Sequence, residues 1–338
     1  MILWNRSGSL NKQSNSGMLQ IVPGDDIIPT YISTTKKYPE LSMITARDLT
    51  KNFDGFMALD GISFSFEDGE IFGIIGHNGA GKTTLLKIVS GLIAPSSGEL
   101  FINDIDVVKN PMALKENLGY LPEESRLYET MTAENYLAFF GEIYGLSPQE
   151  IRVRSNQLFA ALSLEPNGKK IGEFSKGMKR KVAIARSLIH NPKFLVYDEA
   201  TSGLDPMTSR FIADYLRRLR SDGKTIVLSA HNLYQVEAIC DKVMILKRGK
   251  MVAFGTMKEL RDQFGSLTYT VFFSIADPEK LVGHSRTYRQ EDGLFICEAE
   301  DMKELTEISA TIKEAGGTVE KIESRYPSLE EMLVKIGK

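Results

Sequence analysis

Cysteine is nearly missing from this chain: Cys240 and Cys297 are the only two in 338 residues. They lie far apart and lack the spacing of metal ligands. Each sits in an apolar context, Ala238-Ile239-Cys240 and Phe295-Ile296-Cys297, which predicts buried, inert thiols and suits a reducing compartment. Long apolar runs are missing too. None approaches the ~20 residues that a membrane-spanning helix requires, and Met1-Ile2-Leu3-Trp4 is too short for a signal-peptide core. If the protein serves a membrane process, another polypeptide supplies the membrane part. Neither charge sign is in excess: 41 basic residues face 44 acidic ones, a formal net charge of -3. That balance argues against a dedicated nucleic-acid binder, and no nucleic-acid partner is expected. No internal repeat is evident, so a single unit of each kind is expected.

What is present is ordinary globular composition, 42% hydrophobic and 25% charged, over a length that fits about two domains. Residues 1–42 are polar, show no persistent period and read as a flexible leader. Met43, just before the first patterned segment, is a second candidate for the start. From 43 to 260 strands and helices alternate, which predicts a parallel α/β sheet. Ile62-Ser63-Phe64-Ser65-Phe66 alternates apolar and polar residues. Glu67-Asp68-Gly69 reads as a tight turn into the apolar strand Ile71–Ile75, so these two strands are expected to pair antiparallel. The stretch from about Leu121 to Gly172 lacks β-branched runs and includes the helical Ala133–Phe140, so a mostly helical insert interrupts the sheet. Phe194–Tyr197 and Ile226–Ser229 read as central strands. Residues 261–338 are expected to form a small accessory α+β domain. Its strands lie near Tyr269–Ile275 and Leu294–Cys297. A helix runs from Met302 to Glu314, and a capping box at Ser328/Glu331 opens a last helix.

The stretch Gly76-His77-Asn78-Gly79-Ala80-Gly81-Lys82-Thr83-Thr84 fits G-x-x-x-x-G-K-[ST], a phosphate-binding loop. Its position fits as well, with a strand before it and the helical Leu85-Leu86-Lys87-Ile88-Val89 after it. Glycines let the backbone wrap a phosphate chain with amide N–H groups pointing inward, and the helix behind adds its positive dipole end. Lys82 is placed to reach the terminal phosphates, and Thr83 to offer its hydroxyl to Mg²⁺.

Four further motifs follow in order: Phe174-Ser175-Lys176-Gly177-Met178, then Phe194-Leu195-Val196-Tyr197-Asp198-Glu199, Ser202-Gly203-Leu204-Asp205-Pro206, and Leu228-Ser229-Ala230-His231. With them the chain resembles the nucleotide-binding subunit of an ATP-binding-cassette (ABC) transporter over roughly residues 43–260. The resemblance implies a P-loop NTPase fold, with a RecA-like α/β core, an antiparallel β subdomain and a helical insert. It also implies ATP with Mg²⁺. Asp198, at the end of an apolar strand, is expected to bind Mg²⁺ through its water shell. Glu199 is expected to polarise the attacking water as general base. Ser175, Lys176 and Gly177 stand in the signature, usually Leu-Ser-Gly-Gly-Gln, which in the family contacts the γ-phosphate held by an opposing subunit. Ser202–Pro206 resembles the D-loop at that interface, and is equally an Asp-Pro turn closing a strand. His231 matches the switch histidine that contacts the γ-phosphate. Phe53, in Lys51-Asn52-Phe53-Asp54-Gly55, matches the aromatic that stacks on adenine, with a buried core position as its alternative. Stacking tolerates other bases, so GTP is a second candidate ligand, although the Asn-Lys-x-Asp guanine-reading motif is missing.

Glu123 departs from the family, standing where a glutamine is usual. A carboxylate there can still reach Mg²⁺ or its waters. The expected partners are an integral membrane permease subunit and a second ATP-binding cassette, identical or not. The expected place is the cytoplasmic face of the membrane, as a peripheral subunit. Glu123, the Ser-Lys-Gly-Met signature and the C-terminal unit look most like single-cassette subunits of ABC-2-type exporters. Two other readings stay open: a soluble ABC-type ATPase in translation or DNA repair, and a nucleotide-gated binding module without turnover. The first usually carries tandem cassettes or long coiled coils, and this sequence has neither.

Overall fold

A computed structural model describes residues 43–230, 232–265, 267–277 and 288–337. The first elements are β1 (Met43–Phe53), β2 (Phe56–Glu67), β3 (Ile71–Ile75), α1 (Lys82–Val89), β4 (Ser97–Ile102) and β5 (Ile105–Asp106). Next come α2 (Pro111–Lys115), β6 (Leu118–Leu121), α3 (Ala133–Ile143), α4 (Pro148–Ala161) and, after a 3₁₀ turn, α5 (Lys176–Leu188). The chain continues through β7 (Phe194–Asp198), α6 (Pro206–Ser221), β8 (Thr225–Ser229), α7 (Leu233–Ile239), β9 (Lys242–Lys247), β10 (Lys250–Thr256) and α8 (Met257–Phe264).

The central six-stranded sheet has the order β10-β9-β3-β8-β7-β6, parallel from β9 to β6. Every residue of β3, β7 and β8 is buried, because helices or a second sheet cover both faces. Alternate residues of β3 face opposite cores. Ile71 and Ile75 join the core that contains Ile184 of α5 and Leu216 of α6, while Phe72 and Ile74 pack with Leu85 and Leu86 of α1. A side chain at Gly73 would place its Cβ 2.8 Å from Cys240 Sγ, so α7 sits close against the strand. Cys240 and Cys297 are both buried, and burial pushes the Cys240 thiol up, away from the reactive thiolate.

The expected antiparallel pairing of Ile62–Phe66 with Ile71–Ile75 does not occur. β2 pairs with β1 in a separate antiparallel sheet of order β2-β1-β4-β5, and β3 enters the parallel sheet. Burial decides the outcome. The apolar β3 needs cover on both faces, whereas β2 alternates and needs it on one. The turn at Asp68–Gly69 therefore carries the chain from one sheet to another. The two sheets meet through phenylalanines, with ring centroids of Phe72 at 5.4 Å from Phe64 and 4.7 Å from Phe66.

The insert is helical as expected, and a complete capping box, Ser147 with Glu150, opens α4. Beyond α8 lie β11 (Thr268–Ser274), β12 (Arg289–Glu291), β13 (Leu294–Ala299), α9 (Met302–Glu314), β14 (Thr318–Arg325) and α10 (Leu329–Gly337). They form a third sheet, β12-β13-β11-β14, whose core joins Val271 and Phe273 to Leu305, Ile308 and Ile312 of α9. The Ser328/Glu331 capping box opens α10 as the pattern predicts. This helix does not cover its own sheet. Leu329 and Met332 are fully buried in the cassette core, where α10 packs on α7 and α8.

Candidate functional site

Between β3 and α1 the loop bends through Gly76, Gly79 and Gly81, with φ of 155°, 77° and 107°. A Cβ at Gly76 would lie 2.3 Å from Leu246 O, and one at Gly81 would lie 2.7 Å from Ala58 O. The loop thus fits only without those side chains. His77, Asn78 and Gly79 form its exposed crest. Lys82 folds back beneath it, with Nζ donating to Gly76 O at 2.8 Å and His77 O at 3.3 Å. The lysine is 6% exposed. Burial pushes its ammonium below the usual lysine range, and the nearby acids Glu199, Asp198 and Glu123 work against that shift. A cavity of about 360 Å³ opens here, lined by Asn78 through Thr84 together with Phe56, Ala58, Glu123 and Glu199. Its donor set fits an anionic, metal-bound ligand: one buried cation, a threonine hydroxyl, two carboxylates and a glycine loop at a helix N-terminus.

The acids arrive from the next parallel strands. Asp198 ends β7 and is buried, and it accepts a hydrogen bond from Ser229 Oγ at the end of β8. Glu199 follows at φ 49°, with its N–H donating to Ser229 O at 3.2 Å and Ser229 Oγ at 3.1 Å. Behind this turn Arg180 of α5 is buried and donates only to oxygens. Its Nε bonds Ala200 O at 2.9 Å, and Nη2 bonds Asp198 O at 2.9 Å and Glu199 O at 2.7 Å. Nη1 bonds Pro122 O at 2.8 Å, Glu123 O at 3.0 Å and Ser125 Oγ at 3.1 Å.

Other expected residues fall elsewhere. Phe53 is 45% exposed, which removes the buried-core alternative, and Lys51 Nζ lies 4.9 Å from its ring centroid. Phe56, not singled out from the sequence, is the aromatic that lines the cavity. Ser175 caps α5, its Oγ accepting from Met178 N at 3.2 Å. Lys176 lines a different cavity of about 590 Å³, with Glu123–Leu127, Lys179, Ser202 and Leu204. A Cβ at Gly203 would lie 2.1 Å from Lys176 Nζ, so the signature and the Ser202–Pro206 loop touch within one chain. Gly177 packs beside Thr208. His231 lies outside the described residues.

Comparison with known proteins matches residues 59–202 to the family described as ABC transporter. Residues 255–336 match the C-terminal domain of ATP-binding proteins like DrrA1-3. The chain is 38% identical over 224 residues to the ABC transporter ATP-binding protein NatA of Bacillus subtilis (strain 168), covering 64% of this chain and 91% of NatA. The chain belongs to the ABC transporter ATP-binding proteins. The chain is also 31% identical, over 294 residues, to the Nod factor export ATP-binding protein I of Rhizobium sp. (strain N33), with 85% of this chain and 94% of that one covered. Among solved structures it superposes on the dimeric cassette MJ0796 in a post-hydrolysis state bound to ADP and Pi. There the TM-score is 0.59 with 25% identity, covering 63% of this chain and 98% of that one.

The protein is thus the ATP-binding and ATP-hydrolysing subunit of an ABC transporter, with a P-loop NTPase fold. Among the described residues no helix is long and apolar enough to cross a membrane. Three residues that line this cavity or hold its acids were not found from the sequence: Phe56, Arg180 and Ser229. Ser229 stands two residues before His231 in Leu228-Ser229-Ala230-His231, and a hydroxyl at a strand end next to that of Asp198 was the available signal. Arg180 had none, because Lys179-Arg180-Lys181 reads as a solvated charge run.

Proposed function

We propose that this subunit binds MgATP in the 360 Å³ cavity and powers export through a separate membrane subunit. The observation that supports this best is the convergence of Lys82, Thr83, Glu123 and Glu199 on one glycine-walled cavity. Loop N–H groups and Lys82 take the phosphates, and Phe53 or Phe56 takes the base by stacking. Glu199 acts as the general base on water, a role that contributes about 10²–10⁴-fold in rate. His231 assists at the γ-phosphate. Among the described residues no cluster of three or more His, Cys, Asp or Glu is arranged to hold a metal. Mg²⁺ takes one or two carboxylates plus water and phosphate oxygens. Thr83, Asp198 and Glu123 are the residues that would hold it, and when bound it neutralises charge on the β- and γ-phosphates.

Ser175, Lys176 and Gly177 lie off the cavity of their own chain, which supports their service to a second cassette, head to tail. The relative named for Nod factor export supports the direction. A hollow of about 250 Å³ lined by Leu92, Tyr120, Phe140, Tyr144, Arg186 and His190, beside exposed Phe139 and Ile143, is the surface offered to the membrane subunit. The protein then sits peripherally on the cytoplasmic face. Glu199→Gln is expected to bind ATP without hydrolysing it and to accumulate a dimer on size-exclusion with ATP. Hydrolysis at the wild-type rate by this variant would remove Glu199 from the role.

A further inference from the structure

Arg180 is the most heavily engaged buried cation described in the fold. All of its partners are oxygens of two separate loops: main-chain carbonyls of Asp198, Glu199 and Ala200 on one side, and Pro122 O, Glu123 O and Ser125 Oγ on the other. Neither loop belongs to the helix that carries the arginine. We propose that Arg180 is a positioning residue for hydrolysis, fixing the Glu199 turn and the Glu123 loop as one body so that both carboxylates face Lys82 together. The inference rests on the reading of Glu199 as the general base.

Geometry argues for this role. A non-glycine residue in the left-handed region persists only where its surroundings over-determine it, and Glu199 is such a residue. Its N–H is held by Ser229 and its carbonyl by Arg180, so both ends of the residue are tied. The planar guanidinium presents five N–H groups in a fixed fork. That fork reaches both loops at 2.7–3.1 Å. A lysine has three donors on one nitrogen and cannot span the two sets. The guanidinium also stays charged at neutral pH: burial pushes its pKa down, but only to about 10. Its charge strengthens each bond to a carbonyl.

The helix adds a second consequence. α5 is capped by Ser175, the signature serine, and Arg180 is buried about one turn further along the same helix. The element that would touch a second cassette at its exposed tip therefore grips its own hydrolytic turn on its buried side.

The test uses the full chain with Arg180→Lys and, alongside it, Arg180→Gln. Hydrogen exchange is followed in three segments, 121–127, 198–203 and 76–84, together with ATP affinity and steady-state hydrolysis. The expected result is faster exchange in the first two segments together and none in the phosphate loop. ATP affinity and KM should stay within about threefold, while kcat drops about 10²-fold, the penalty for a catalytic group misplaced by ~1 Å. Unchanged exchange in either loop, or kcat within about threefold of wild type, overturns the proposal. So does loss of cooperative unfolding in both variants, which would assign Arg180 to the fold and not to the site. If Glu199→Gln hydrolyses ATP normally, the reading of Glu199 fails instead, and the exchange data still judge whether Arg180 joins the two loops.

Discussion

Glu199 adopts φ 49°, a conformation that costs a non-glycine residue about 1–3 kcal/mol. Ser229 is one of the groups that offset it. Its hydroxyl accepts from the Glu199 N–H and donates to Asp198 Oδ1, so one side chain orients both neighbouring acids. Ser229→Ala takes this hydroxyl from the buried Asp198 Oδ1 and leaves the Glu199 N–H with Ser229 O alone, and should cost about 1–3 kcal/mol in urea unfolding, with a parallel fall in kcat. The acids themselves were legible in the sequence, because an apolar run ending in Asp198-Glu199 states its own position. Ser229 and Arg180 were not, because their roles arise from contacts 31 and 18 residues away in the chain. A second residue-scale effect concerns His190, which stacks on Tyr144 with ring centroids 3.7 Å apart. Burial pushes its pKa from 6.5 down to about 4, and its bond to Leu118 O is too weak to reverse that. Between those values the unfolded chain takes a proton that the folded chain refuses. Stability is therefore lost as pH falls from 6.5 toward about 4. His190→Gln should flatten the unfolding free energy across that window, and an unchanged slope would remove His190 as its source.

At the scale of elements, α10 is the informative case. Its capping box was readable at Ser328 and Glu331, but its destination was not, since a short amphipathic helix carries no label for the surface that it covers. Leu329 and Met332 are fully buried against the cassette, and Glu330, Leu333 and Val334 line a cavity of about 680 Å³ shared with Gly76, His77 and Asn78 of the phosphate loop. Leu329→Ala or Met332→Ala should each cost about 2–5 kcal/mol. The loss should register on a probe placed in α7 or α8, not only on the third sheet, and a cassette transition that stays put would contradict the packing. β2 and β3 make a related point. Alternation and full burial were both visible in the sequence, yet turn chemistry suggested a hairpin, and the demand of β3 for cover on two faces decided otherwise.

For the whole molecule, nucleotide and fold are linked by mass action. A ligand that binds only the native state at 100 times its Kd adds about 2.7 kcal/mol of stability. ATP with Mg²⁺ should therefore raise the Tm of the wild-type chain. Lys82→Ala removes a charge-assisted phosphate contact of about 1.5–3 kcal/mol and should lose most of that rise. An equal rise in both proteins would place the nucleotide away from the phosphate loop. The burial of Leu329 and Met332 beside residues such as Val236 and Leu260 also has a consequence for biosynthesis. A ribosome that has made everything up to residue 328 has not yet made the two side chains that close the seam between α7 and α8. Until those side chains are in place the apolar seam stays open to solvent, so the docking of α10 is the step that seals the cassette.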